Sequence, residues 1–136
     1  MKTILLLLIL PIFSFGQKTE DSKIIIKVSD TIDIVKKVRV ALSKNDFAIR
    51  EDSSPDLIIT HLIEMKTIAA YCRLLATIKG DTVTLTGHYG SKKAANIGSP
   101  VAPKNYKKIM YFSGSKSWRL MQHVADDIGG TFEYGK

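Results

Sequence analysis

The stretch IAAYCRLLATIKGDTVTLTGHY, Ile68–Tyr89, decides the fold. Its second half alternates, with Val83, Leu85 and Gly87 on one side and Thr82, Thr84, Thr86 and His88 on the other. Period-two alternation of this kind describes a strand with one face against a core and one face wet. The first half divides in the same way. Ala70, Cys72, Leu74, Ala76 and Ile78 point one way, and Tyr71, Arg73, Leu75 and Thr77 the other. Between the halves, Gly80-Asp81 is a two-residue hairpin loop with glycine first. The two strands, Ile68–Lys79 and Thr82–Tyr89, are therefore expected to pair antiparallel.

Upstream, KIIIKVS (Lys23–Ser29) is a short β-branched run that reads as a strand buried on both faces. Asp30 offers an N-cap to a helix over Thr31–Lys44, whose apolar stripe is Ile34, Val35, Val38, Ala41 and Leu42. Asn45 is suited to the left-handed conformation that ends a helix. Phe47 and Ile49 alternate as a short strand, Ser53-Ser54-Pro55-Asp56 is a turn cluster, and Leu57–Lys66 reads as one strand.

Downstream, 90–104 (GSKKAANIGSPVAPK) has no period and is read as a long loop. Tyr106–Phe112 suits a further strand. Ser113 or Ser115 can cap a second helix with the stripe Trp118, Met121, Val124, Ala125 and Ile128, which Gly129-Gly130 stop. Thr131–Tyr134 suits a short closing strand. The expected class is α+β: an antiparallel sheet of about five strands with two helices packed on one face. The order is strand, helix, four strands, an optional fifth, then helix.

The chain opens MKTILLLLILPIFSFGQ. Lys2 precedes an apolar run, Ile4–Phe13, of the length of a secretory h-region and too short for a spanning helix. Ser14 and Gly16 are small residues at the positions a signal peptidase reads, so cleavage is expected between Gly16 and Gln17. Residues 1–16 are then a signal peptide and 17–136 a single domain, periplasmic or secreted. No cysteine follows the apolar run, so a lipid-anchored form is not expected. Cys72 is the only cysteine, and it sits among apolar residues. It can form no internal disulfide, and it is expected to pack as a small buried apolar group.

The stretch "KNDFAIREDSSPDLIITHLIE" after the first helix resembles small envelope domains with a helix, a strand, an acidic turn and a Pro-Asp-Leu-Ile segment. The ending "KSWRLMQHVADDIGGTFEYGK" resembles the final helix of exported Bacteroidetes-type domains of unknown function with a TBP-like (TATA-binding-protein-like) fold. The resemblance implies an architecture and an envelope location. It brings no catalytic residue with it, and a fold of itself assigns no activity.

Catalytic patterns are sparse. His61, His88 and His123 are scattered without a second ligand type beside any of them, so no metal is expected. His61 and His123 read as partly buried and hydrogen-bonded, and His88 as solvent-exposed. No Gly-x-Ser-x-Gly occurs, and Cys72 has no base in reach by position. Asp126 and Asp127, adjacent on a helix, diverge by about 100° and share no site, although one can pair with a nearby cation. No cofactor is expected.

Charge is the remaining signal. The whole chain carries a net charge of +7, and no acid occurs between Asp81 and Asp126. Within that interval lie Lys92, Lys93, Lys104, Lys107 and Lys108, with Tyr89, Tyr106, Tyr111 and Phe112 interleaved. Cations beside aromatic rings suit an anionic surface. The candidate partner-binding residues are Lys92, Lys93, Lys104, Tyr106, Lys107 and Lys108. Lysine in place of arginine disfavours bidentate recognition, and an exported protein meets little nucleic acid. The expected function is a non-enzymatic binding or assembly module of the envelope, holding an envelope protein, an anionic lipid or a glycan by the basic loop or by an open sheet face. The alternatives are a hydrolase whose site is scattered through the sequence, and a nucleic-acid binder favoured by charge alone.

Overall fold

The computed structural model describes residues 16–66, 68–91 and 106–136. Nine elements follow in chain order: β1 Lys23–Lys27, α1 Ile34–Lys44, β2 Leu57–Ile59, β3 Ile63–Met65, β4 Ala70–Lys79, β5 Thr82–Ser91, β6 Lys107–Lys108, α2 Lys116–Ile128 and β7 Thr131–Gly135. All pairings are antiparallel, in the order β2-β4-β5-β1-β7, with β3 also on β4 and β6 also on β5. The expected α+β class and antiparallel sheet are present. Seven strands replace the five expected, because two positions across the sheet are each filled by two short segments end to end.

The β4–β5 hairpin is the frame. Lys79 and Thr82 close it around Gly80, which takes the left-handed φ of 58° that glycine adopts without strain. From there the pairing runs ten residue pairs out to Ala70 and Ser91. The alternation read from the sequence holds along it. Cys72, Leu74, Ala76, Val83 and Leu85 are fully buried, while Leu75, Thr77, Thr84 and Thr86 on the other face are half-buried.

Both helices lie on the buried face. α1 contributes Ile34, Val38, Ala41 and Leu42 to the core, and α2 contributes Trp118, Met121, Val124, Ala125 and Ile128. From the sheet, Ile24 and Ile26 of β1 meet them. Ser115 begins α2: its Oγ accepts the Trp118 N–H at 3.2 Å, satisfying one of the donors a helix start leaves open. Gly129 and Gly130 end it at φ 77° and 116°. A side chain at Gly130 would collide with the Lys27 carbonyl, so the chain enters β7 only through glycine. In that same last turn of α2, Asp127 accepts hydrogen bonds from Asn45 Nδ2 at 2.8 Å and Lys44 Nζ at 3.0 Å. Those donors hold its carboxyl below the usual carboxylate range and tie together the ends of α1 and α2.

Three boundaries depart from expectation, each because a local polar group found a different partner. Asp30 does not cap α1; its carboxylate accepts the Ile32 N–H at 3.0 Å and pairs with Lys37 at 3.3 Å. The helix therefore starts at Ile34, leaving Ile32 75% exposed on the turn before it. At the other end Asn45 has a φ of −98°, and the left-handed residue is its neighbour Asp46 at 66°.

The third departure is in Leu57–Lys66, which is two strands and not one. Ile59 faces Leu75 and Ile63 faces Cys72, so three residues on one side oppose two on the other. Thr60 makes this bulge. Its N–H donates to the Leu74 carbonyl at 3.1 Å while its Oγ1 accepts the Leu74 N–H at 2.9 Å. The expected Phe47–Ile49 strand is reduced to a single bridge, Ile49 to Thr60, lying along the outer edge of β2.

Candidate functional site

The sheet face turned away from the helices is where charge collects. Antiparallel register stacks its side chains in rows across the strands. One row runs Thr77, Thr84, Ile25 and Glu133, and another Leu75 and Thr86 beside Ile59. The next is Arg73 of β4, His88 of β5 and Lys108 of β6, each opposite the one before. Arg50 lies beyond Arg73, close enough for its charge to act on it.

This row is costly on its own terms, since like charges directly opposite each other weaken a sheet. The exposures sharpen the point. Arg73 is only 7% exposed although it belongs to the more open face. Burial, and after it the charge of Arg50, lowers its guanidinium pKa. His88 is half-buried, and burial first, then Arg73 and Lys108, push its imidazole below its ordinary value. Its Nδ1 is buried with no hydrogen-bond partner among the described residues. Asp52 pairs into this group: it takes Arg50 Nε at 2.8 Å and is held below the usual carboxylate range by it.

Tyr106 stands one row further along. Its ring lies over Gly90, whose missing side chain makes room for it: a Cβ there would fall inside the ring's contact distance. The residue is buried, its hydroxyl has no partner among the described residues, and burial raises its pKa. Two buried polar atoms without described partners thus lie at adjacent levels of one face.

Of the six residues expected from the sequence, Tyr106 and Lys108 fall on this face. Lys107 is exposed opposite Tyr89 and so projects to the other side of the sheet. Lys92, Lys93 and Lys104 lie outside the described residues, as do residues 1–15 of the expected signal peptide 1–16. Arg73, His88 and Arg50 were not among the expected residues.

The other histidines differ from expectation. His61 and His123 are exposed, not packed against the core. His88, expected in solvent, is the one that is half-buried. Cys72 is fully buried, and burial pushes its thiol up to about 12, so it is an inert core group. Among the described residues no group of three His, Cys, Asp or Glu is placed to hold a metal, and no helix is long and apolar enough to cross a membrane. Comparison with family models, curated proteins and solved structures found no significant match to this chain.

Proposed function

We propose that the protein is a non-enzymatic binding module of the cell envelope that holds an anionic group, a phosphate or a carboxylate, on the open face of its sheet. The observation that carries this reading is the transverse row Arg73–His88–Lys108. A sheet selected for stability alone places opposite charges or neutral residues across a ladder. Local rules are broken at sites that do something, and a bound anion between these cations removes the repulsion and supplies His88 with an acceptor. The apolar leader ending at Gly16, and the resemblance to exported Bacteroidetes-type domains, support an envelope setting for that anion.

The chemistry is charge pairing and hydrogen bonding without a bond-breaking step. Lys108 is exposed and supplies a mobile ammonium, whereas Arg73 presents a fixed, always-charged guanidinium. Burial first, and then the charges of Arg73 and Lys108, lower the His88 pKa, and an anion between them offsets the charge part and favours the protonated ring.

The test is co-sedimentation of the mature chain with vesicles of phosphatidylglycerol and, separately, of phosphatidylcholine, with polyglutamate as competitor. Retention on the anionic vesicles alone, weakening with added salt and lost in the double variant His88→Gln, Lys108→Glu, supports the reading. Competition by polyglutamate places the natural partner among acidic proteins. Equal retention of the double variant contradicts it.

A further inference from the structure

A second surface, separate from the basic row, lies on the helix side of the sheet. Ile63 and Met65 of β3 stand opposite Cys72 and Ala70, so by parity they belong to the face that carries the core. Met65 is buried, but Ile63 is only half-buried, and so is Leu120 on the facing wall of α2. The apolar face of the sheet therefore runs on past α2 and opens into a groove of about 820 Å³, between β3, α2 and the turn that follows α1. That volume is within the range of small-molecule sites, roughly 300–1,000 Å³.

Cations border this apolar strip. Lys116, Arg119 and His123 are spaced three and four apart on α2, so they share the side of the helix from which Leu120 lines the groove. Lys66 follows at the end of β3. Among the described residues, none of Lys66, Lys116 and Arg119 has a carboxylate within 4.0 Å. Asp46 and Glu64 also line the groove, and Glu64, opposite Tyr71, has the parity of the other face. Three cations against two acids leave one positive charge, histidine apart.

The interior offers little to a polar ligand. Among the described residues, no buried side-chain donor or acceptor left without a partner lies on this groove. A sugar or a nucleotide needs such groups to fix its orientation, whereas a hydrocarbon chain needs only apolar area on which to leave water. The wall from Lys116 to His123 is about 10 Å long. An extended chain advances about 1.2 Å per bond, so the wall matches about eight methylenes.

We infer that this groove binds a fatty acid. The acyl chain lies along Ile63, Met65 and Leu120, and the carboxylate meets Lys116 and Arg119. The single negative charge of the ligand answers the single positive charge of the lining, and the guanidinium fork of Arg119 suits the two oxygens of a carboxylate. The contacts are made by side chains, and the backbone of β3 takes no part.

The test is calorimetric titration of the mature chain with butanoate, hexanoate and octanoate, all below micelle formation, with 1-octanol as the uncharged control. Each added CH₂ should tighten binding by about two- to fourfold, the upper figure being a methylene wholly removed from water. Octanoate affinity should fall by about tenfold or more in the variant Lys116→Glu, Arg119→Glu, while 1-octanol binds that variant as it binds the parent. Both side chains reach solvent, so the fold should survive, and circular dichroism checks it. In the unaltered chain, octanoate should shift the methyl resonances of Ile63, Met65 and Leu120. The His88→Gln, Lys108→Glu variant should bind octanoate as the parent does, which separates this site from the basic row. Affinity that does not change from butanoate to octanoate, equal octanoate affinity in the charge-reversed variant, or shifts that miss these three side chains would each overturn it. The same methyl shifts on concentrating the protein alone, with a dimer in sedimentation, would give the groove to a second copy of the chain and overturn it too.

Discussion

The two faces of the β4–β5 hairpin share one backbone and differ only in which residues of the alternation they carry. On the helix side, Leu74, Ala76, Val83 and Leu85 are all fully buried against one another and the two helices. On the far side, one pair along from Leu74 and Gly87, stands Arg73 against His88 with Lys108 beyond. One face is assembled from groups that lose nothing by leaving water. The other concentrates groups that repel each other and are partly stripped of water. The difference teaches that stability and recognition are partitioned by parity along the strand, so a one-residue step changes what a substitution tests.

The largest effect expected is on the buried parity. Leu85→Ala should cost about 2–5 kcal/mol in urea unfolding, the range for a core leucine whose cavity cannot fully collapse. Its neighbour Thr84→Ala, on the other face, should stay within about 0.5 kcal/mol. Equal costs would break the partition.

Next in size is Gly87→Ala. An added Cβ would lie 2.6 Å from both the Arg73 carbonyl and Ile109 Cδ1. The overpacking should cost about 1–3 kcal/mol, and β6 should loosen with it, since the Ile109 N–H donates to the Gly87 carbonyl at 2.9 Å. Loss of vesicle binding alongside would tie the position of Lys108 to this contact.

His88 gives a pH effect. Its folded-state pKa lies below the ordinary value near 6.5, so as pH falls the unfolded chain takes up the proton first. Stability should therefore decline as pH drops from about 7 through 6.5 towards the lower folded value. His88→Gln should flatten that slope in a urea series. Anion binding should run the other way and tighten with acid.

The smallest effect is the most diagnostic. Lys108→Gln removes one of the opposed charges and should leave the fold unchanged or stabilise it by about 0.2–1 kcal/mol, while weakening retention on phosphatidylglycerol vesicles. A variant that gains stability and loses binding is the signature of a site. Loss of both would make Lys108 an ordinary structural residue.

Much of this was legible in the residues. The Gly80-Asp81 loop sets the register, and counting outward from Lys79 and Thr82 the seventh pair is Arg73 with His88. Parity placed both on the less buried face. Lys108 was visible as a charge but not as the third member of the row, because its pairing spans the long segment 92–105 that no local pattern aligns. The bulge at Thr60 was hidden for another reason. A threonine in a β-branched run reads as strand, and only the double hydrogen bond to Leu74 shows that it interrupts one. Asp30 looked like a helix cap because Asx turns and caps draw on the same side-chain chemistry.

The central claim is that the Arg73–His88–Lys108 row is held ready for an anion. Titrating the His88 ring by NMR, in the mature chain with and without inorganic pyrophosphate, tests it most directly. The account predicts a midpoint below about 6.5 in the free protein and a clear rise when pyrophosphate is added, absent in Lys108→Glu. An ordinary midpoint in the free protein, or one that pyrophosphate does not move, would contradict it.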